Sequence, residues 1–417
     1  MPCGRREEES EIMIFAFSDG EKVGVYRDGK VEKRDSAYIV RYRETALRDA
    51  KRREWKTQGH TAQLLSEGLY TGEEEVVAAV HGVSLTADEN RVLYAFTVNE
   101  SSGIYCKYLD DEANSEGHIV SSNEADFMSV ACNEQGEMLA SVQTDAVTAR
   151  IAVFQKESGD YKCVTDGDSL DENPSFSPDG KSVLFNSYGV GRDANNNFVA
   201  YMPSEIYRLN LATLDVETVV SDEKNSYIKP VEDEEGNLYC IRKPGKEKTG
   251  GNPVVEILLI PVRIVQAIAG FISAFVMCFT GKNLVSGGSG RAVDSGGGAA
   301  KNGRPNAGKA FVNNNLLNVD KELKKNKKQE DYGFIPSSWK LVRIGTDGKE
   351  AAEIASGVAD FCLVRENGAK TIVYTNGRHI FSIREGEKRK KLIDTDFCLK
   401  VGSVFPAASS DRLYDFF

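Results

Sequence analysis

The 417-residue sequence predicts an all-β fold assembled from six four-stranded antiparallel sheets, and three observations carry that prediction. One is a sharp turn, Ser177-Pro178-Asp179-Gly180, set between strand-forming runs. Another is that eroded copies of this strand–turn–strand unit recur along the chain. The third is that each copy is followed by a second pair of strands, so the repeating unit has four.

The turn reads residue by residue. Pro178 presets φ for the second position of a type I turn, Asp179 suits the third and Gly180 the fourth. Val183, Leu184 and Phe185 supply the β-branched and aromatic residues of the returning strand. Copies begin at Val83, Phe127, Tyr227 and Phe361, and return at Val92, Met138, Leu238 and Thr371. Third strands follow from Ile104, Ile151, Ile206, Trp339 and Ile380, then short polar fourth strands such as Val216–Val220. Four antiparallel strands per repeat is the make-up of a β-propeller blade. A sandwich or jelly roll also alternates strands and turns, and internal repetition weighs against both.

The sixth blade is read as split between the termini. Ile12-Met13-Ile14-Phe15-Ala16-Phe17 and the run from Val23 to Tyr26 resemble the later strands of a unit but lack a first strand. Asp396-Phe397-Cys398-Leu399-Lys400 nearly repeats Asp360-Phe361-Cys362-Leu363-Val364, which is a first strand. Pairing N- and C-terminal strands in one sheet closes the ring and removes an open edge. Residues 404–417 have no place in this scheme. The repeat core around Ser177 resembles that of TolB-like (WD-repeat-like) six-bladed β-propellers, a pattern shared with the N-terminal propellers of prolyl-oligopeptidase-type peptidases. The resemblance implies a binding scaffold with a central channel. It brings no catalytic residues, because the motif is structural, and no Gly-x-Ser-x-Gly elbow with a hydrolase domain accompanies it.

Composition narrows the function. A net charge of −11 argues against a nucleic-acid partner, which needs a concentrated basic surface. None of the eight cysteines forms a CxxC pair, and Cys106, Cys132, Cys240, Cys362 and Cys398 sit in strand-like runs as small hydrophobes. Residues 1–12 are charged, without the apolar core of a signal peptide, so a reducing cytoplasm is expected. His60, His81, His118 and His379 make no metal-ligand pair, and no metal, cofactor or catalytic residue is assigned. Asp166, Asp168, Asp171 and Glu172 are read as turn caps rather than as paired catalytic carboxylates.

The propeller is expected to comprise residues 1–36, 76–243 and 339–417. Three stretches interrupt it: 37–75, 187–204 and 244–338. Loops between second and third strands leave an antiparallel sheet at the same end as connections to the next sheet, so all three crowd one face. Residues 44–56 are read as a basic capping helix with Arg48, Lys51, Arg52, Arg53 and Lys56, and 187–204 as an ordinary loop. Within the third, 254–280 is the most apolar stretch of the chain and carries no charge from 264 onward. A simple span is disfavoured, because both ends belong to one sheet, and Lys243, Lys246, Lys248, Lys282 and Arg291 flank it on either side.

At helical spacing, Glu256, Arg263, Gln266, Gly270 and Ser273 form a thin polar seam. Ile257, Leu258, Ile264, Ile268, Phe271, Phe275 and Phe279 form the wide apolar face. Such an amphipathic helix suits a membrane surface, a hydrophobic protein partner or internal packing, in that order. The Gly/Ser/Asn-rich run 286–308 has the composition of a linker, and 316–329 that of a short basic helix. The expected function is a non-enzymatic binding scaffold, peripherally associated with the inner face of a membrane. The alternatives are a hydrolase or lyase with its site at the channel mouth, and a soluble assembly subunit that docks its apolar helix into a partner.

Overall fold

Strand pairing runs almost entirely between sequence neighbours. The computed structural model describes residues 12–57, 76–109, 115–155, 159–245 and 309–406. Within these the protein is all-β, built of antiparallel sheets with few helices. In spatial order the N-terminal sheet is Val401–Gly402, Ile14–Asp19, Lys22–Arg27 and Lys30–Asp35. The second is Ala78–Leu85, Arg91–Val98, Ser101–Tyr108 and Glu116–Ser122.

A nine-stranded sheet comes next. Its first half is Asp126–Cys132, Met138–Gln143, Ala149–Phe154 and Tyr161–Cys163; its second is Ser169–Phe176, Ser182–Arg192, Glu205–Asn210 and Val216–Val220. A single parallel pair, Ala149 with Leu170, joins the halves, and Phe198–Tyr201 pairs on the long strand Ser182–Arg192. The insertion-bearing sheet is Asn225–Glu232, Leu238–Pro244, Lys340–Ile344 and Glu350–Ser356. The C-terminal sheet is Asp360–Glu366, Ala369–Thr375, Gly377–Ile383 and Lys390–Cys398.

Burial grades outward across each sheet. Arg91–Val98, a second strand, is buried over almost its whole length, as a strand covered on both faces must be. Lys30–Asp35, a fourth strand, reads Lys-Val-Glu-Lys-Arg-Asp and is exposed, and its charges discourage further edge pairing. Apolar clusters fill the spaces between successive sheets. One holds Val25, Val83 and Tyr94; the next holds Ile104, Phe127 and Val142. Phe15 and Phe17 share a cluster with Val373 and Ile380, from the N-terminal and C-terminal sheets.

The innermost strands touch in succession. Val401–Gly402 lies against Ala78–Leu85, which lies against Asp126–Cys132, then Ser169–Phe176, Asn225–Glu232 and Asp360–Glu366, and the last touches Val401–Gly402. Glycines permit the closest approaches. A Cβ on Gly402 would stand 2.0 Å from the carbonyl oxygen of Val83, and one on Gly82 would stand 2.8 Å from the backbone nitrogen of Val130.

Helix α1 spans Ala37–Thr57 and α2 spans Val319–Asn326. The backbone N–H groups of Ala37 and Tyr38 donate to the Glu116 carboxylate, at 3.2 and 2.9 Å, so a residue of the neighbouring sheet caps the first turn of α1. Lys107 pairs with the same carboxylate at 3.4 Å, both side chains being almost wholly buried. Among the described residues no helix is long and apolar enough to cross a membrane.

The Ser177 turn closes through its own side chains. Gly180 N donates to Ser177 O at 2.9 Å, Ser177 Oγ donates to Asp179 Oδ1 at 2.6 Å, and Ser182 N donates to Ser177 Oγ at 3.0 Å. Gly180 stands at φ 67°. Thr86 and Asp88 repeat this arrangement one sheet earlier.

Four expectations need correction. Residues 396–398 end the strand Lys390–Cys398, which pairs with Gly377–Ile383 as a fourth strand; ladder pairs with Ile14–Asp19 are confined to Val401–Gly402. The chain still hands over between the two sheets, because Gly20 N donates to Phe397 O and Ser18 N to Lys400 O. Residues 187–204 are no mere loop, since Val190 and Gly191 pair with Tyr201 and Ala200 around a turn that Asp193 Oδ1 caps at Asn195 N and Asn197 N. Leu316 and Leu317 belong to a hairpin, Lys309–Val312 with Asn315–Asn318, and α2 begins only after Asn318 caps it. Lys243 is a buried member of Leu238–Pro244 rather than an exposed flank. Of the unplaced tail, Phe405 bonds across to Cys132 O and packs on Phe176.

Candidate ligand-binding centre

Four innermost strands break register near their midpoints. Ala78–Leu85 skips His81, between the pairs Val80 with Phe96 and Gly82 with Ala95. Asp126–Cys132 skips Met128. Ser169–Phe176 skips Asn173 and Pro174, and Asn225–Glu232 skips Lys229 and Pro230. Proline has no N–H to give a ladder, so a bulge is its natural place, and a bulge re-aims the side chains beside it.

The residue before a proline is ordinarily extended, yet Asn173 stands at φ 51° and Lys229 at φ 54°. Asparagine tolerates the left-handed region; for lysine it costs roughly 1–2 kcal/mol. Asn186 holds both bulges. Its Oδ1 accepts from Asn173 Nδ2 at 2.9 Å and from Lys229 N at 3.1 Å, and its amide nitrogen donates to Ser204 Oγ at 3.3 Å. Asn186 is fully buried, so no water substitutes for these bonds.

The bulge sends Lys229 across to the next sheet, where Nζ lies 3.1 Å from Asp360 Oδ1. The other oxygen of Asp360 accepts from Val401 N at 3.0 Å. Lys400 stands in the field of Asp360, Lys229 and Glu172, and beside His81. Burial lowers its pKa, with Lys229 adding to the effect and the two carboxylates opposing it. Burial, helped by the Lys400 charge, pushes His81 down to about 3, so its ring is neutral; Nε2 is 2.8 Å from Thr97 Oγ1. Burial raises Glu172, against the pull of Lys400, Lys243 and a 2.9 Å hydrogen bond from Asn314 Nδ2.

The hairpin that ends the third insertion reaches this centre. Its tip, Asn313-Asn314, has both residues at positive φ, the pair of conformations a two-residue hairpin turn requires. Asn313 Nδ2 donates to Ala359 O at 2.8 Å, and Lys243 Nζ donates to Asn313 O at 2.6 Å. Lys243 lies between the rings of Tyr188 and Trp339, 5.2 and 5.3 Å from their centroids. Burial pulls its pKa down to about 7, with the Glu172 charge opposing. The whole is an interior polar wall of three amines, two carboxylates and a neutral imidazole, chemistry suited to a charged, hydrogen-bonding ligand group.

The acidic run singled out in the sequence is dispersed. Asp166 pairs with Arg150 at 2.9 Å and Asp168 with Arg192, both toward solvent, while Asp171 accepts from Ser187 Oγ at 2.6 Å. Only Glu172 reaches the centre. His379 contacts Asp394 at 2.6 Å in an open surface cleft of about 430 Å³ that also has Asp19, Lys33 and Arg378 on its walls. Ile257, Leu258, Ile264, Ile268, Phe271, Phe275 and Phe279 lie outside the described residues, as do His60 and the run 286–308. Sequence reasoning missed Lys229, Asp360 and Lys400 as a group. One signal was present: Lys229-Pro230 stands where Asn173-Pro174 stands in the sharp copy.

No protein-family model and no curated protein matches this sequence. Solved structures similar to it include TolB from Acinetobacter baumannii, at 9% identity and a TM-score of 0.47, over 94% of this chain and 66% of that one. The tricorn protease is similar at 12% identity and a TM-score of 0.41, over 96% of this chain and 37% of its own. A putative TolB from Agrobacterium tumefaciens follows at 11% and 0.37, over 79% of this chain and 84% of that one. The chain thus spans about two thirds of the first of these and well under half of the second. TolB structures, to which the Ser177 repeat pointed, stand among the proteins this chain is similar to.

Proposed function

We propose that the chain is a six-bladed propeller that works as a non-enzymatic binding scaffold, held peripherally at the inner face of a membrane. On this reading the nine-stranded sheet is two blades sharing one parallel pair, and Val401–Gly402 completes the blade begun by Ile14–Asp19. The blades comprise 1–36, 76–243 and 339–417, with 37–75 and 244–338 as insertions. The observation that carries the reading is the unbroken succession of contacts among the innermost strands, which returns to its starting strand.

A rigid ring with a charged, strained centre favours ligand binding, since strain persists only where the surroundings enforce it. Membrane attachment rests on the uncharged run 264–280 and on the basic helix α1. Helix α1 follows a fourth strand and Gly245 follows a second, and antiparallel pairing puts those two strand ends on the same face.

Liposome flotation tests the attachment, with the full chain beside a variant whose residues 253–280 are replaced by a short Gly/Ser linker. The expected result is that only the full chain floats, and more of it on anionic lipid. If both folded proteins sink the attachment is overturned, and if both float the apolar run is not what carries it.

A further inference from the structure

The three central lysines are not alike. Lys229 is paired with Asp360, and Lys243 donates a hydrogen bond to Asn313 O while lying between two rings. Lys400 has neither kind of partner: among the described residues its ammonium makes no hydrogen bond and no ion pair. Its side chain is only partly buried, and its neighbour Val401, whose N–H bonds Asp360 Oδ2 at 3.0 Å, sets it beside the Lys229–Asp360 pair. A partly exposed ammonium with no protein partner, fixed beside a second cation, is open to a charged hydrogen bond with a group arriving in solution.

The surroundings define that partner. Lys229 and Lys400 stand beside the one carboxylate of Asp360, so one further negative charge balances that trio. Asp360 is already occupied by Lys229 Nζ and Val401 N, and Glu172 by Asn314 Nδ2. Neither turns to Lys400. The same two carboxylates repel a second charge, which limits the ligand to one compact anionic group. The strained bulge at Lys229 keeps a second cation at the same spot.

We propose that the centre of the ring binds a carboxylate or phosphate group on the Lys400 ammonium, with Lys229 as the second cation. This deepens the scaffold reading and rests on it: the ring brings residues 229, 360 and 400 together, and the anion is what the assembled wall recognises.

The test follows thermal unfolding of the full chain in inorganic phosphate, in acetate, and in chloride at matched ionic strength. Phosphate or acetate is expected to raise the melting temperature above chloride, and whichever acts more strongly identifies the group. Lys400→Met is expected to weaken the apparent affinity by about tenfold or more, the worth of a charged hydrogen bond, and Lys400→Arg to keep most of it. Each variant is compared with itself in chloride, so a change in basal stability does not confuse the result. An equal response of Lys400→Met and parent overturns the proposal, as does no response of the parent to either anion. Flotation of Lys400→Met stays that of the parent, so failure of the anion site and failure of the membrane reading appear in separate assays.

Discussion

The Ser177 turn and the bulged inner wall are both built from short polar side chains, but they hold the chain in opposite ways. In the turn every partner lies within a few residues: Ser177 bonds to Asp179 and Ser182. On the wall Asn186 joins Asn173, 13 residues away, to Lys229, 43 residues away in the next sheet. The difference decides what each can tolerate. A local device can be rebuilt by other residues, and it has been. Thr86 with Asp88 copies it, whereas Asn133 and Asp233 cap their own turns, each Oδ1 accepting two backbone N–H groups. A group that serves two sheets has no such freedom.

The largest effect is therefore expected at Asn186. Asn186→Leu takes the partner from the part-buried Lys229 N–H and Asn173 amide, at about 1–3 kcal/mol for each orphaned group. Denaturant unfolding is expected to show a loss of about 3 kcal/mol; a loss below 1 means that the wall yields as easily as the turn. Gly402→Ala comes next. Its new methyl meets the Val83 carbonyl, and overpacking of this kind costs about 1–3 kcal/mol. Gly189→Ala, whose methyl meets only the Met202 side chain at 3.6 Å, is the control and stays near the parent. Equal melting temperatures for the two variants would mean that the approach of Val401–Gly402 to Ala78–Leu85 is not under constraint.

At the turn, Ser177→Ala removes the acceptor for Ser182 N and is expected to cost about 1 kcal/mol. Ser177→Asn is expected to recover most of that, because Asn133 already closes a sister turn by itself. If the asparagine variant is no better than alanine, the turns are not interchangeable and the contrast with the wall is weaker than drawn.

The same contrast explains what the sequence disclosed. The turn was legible because its four residues are consecutive and each has a separate reason to be there. The strand pairs followed from it, since neighbours in sequence are neighbours in these sheets. The wall was not legible, because its six charged or imidazole members come from six strands or connections and meet only when the sheets do. Lys243 was misread through its place beside the apolar run, although Ile241 before it is fully buried in the same strand. Asp396 to Lys400 misled for a better reason: the segment does leave one sheet for the next, but one step later than its likeness to Asp360 to Val364 implied. The Asn313-Asn314 tip had no signal pointing to Glu172, which lies 142 residues away from Asn314.

The mildest test uses protons rather than substitutions at the wall. Lys243, ordinarily near 10.5, is held at about 7 in the folded protein because its ammonium is buried, and the Glu172 charge recovers only part of the loss. Between these values the unfolded chain binds more protons than the folded one, so stability must rise with pH across that window. Below pH 7 the full cost of the buried charge is present; above it the amine sheds its proton and the cost fades. A single group so displaced contributes about 1 kcal/mol of added stability between pH 7 and pH 8. Lys400, also lowered, contributes with the same sign as the pH rises toward its ordinary value. Lys243→Met is expected to be the more stable protein near neutrality and to lose the part of the slope that Lys243 supplies, as read by denaturant unfolding at each pH. No comparable slope arises from the Ser177 turn in this range, because Asp179 is lowered: burial raises it, but Ser177, the Lys181 N–H and nearby cations outweigh burial. Its contribution is present above the ordinary carboxylate range and disappears only as the pH falls through the lowered value. If Lys243→Met leaves the rise above pH 7 unchanged, the ammonium is better solvated than its contacts imply, and the wall is closer to the turn in kind than the burial of Asn186 suggests.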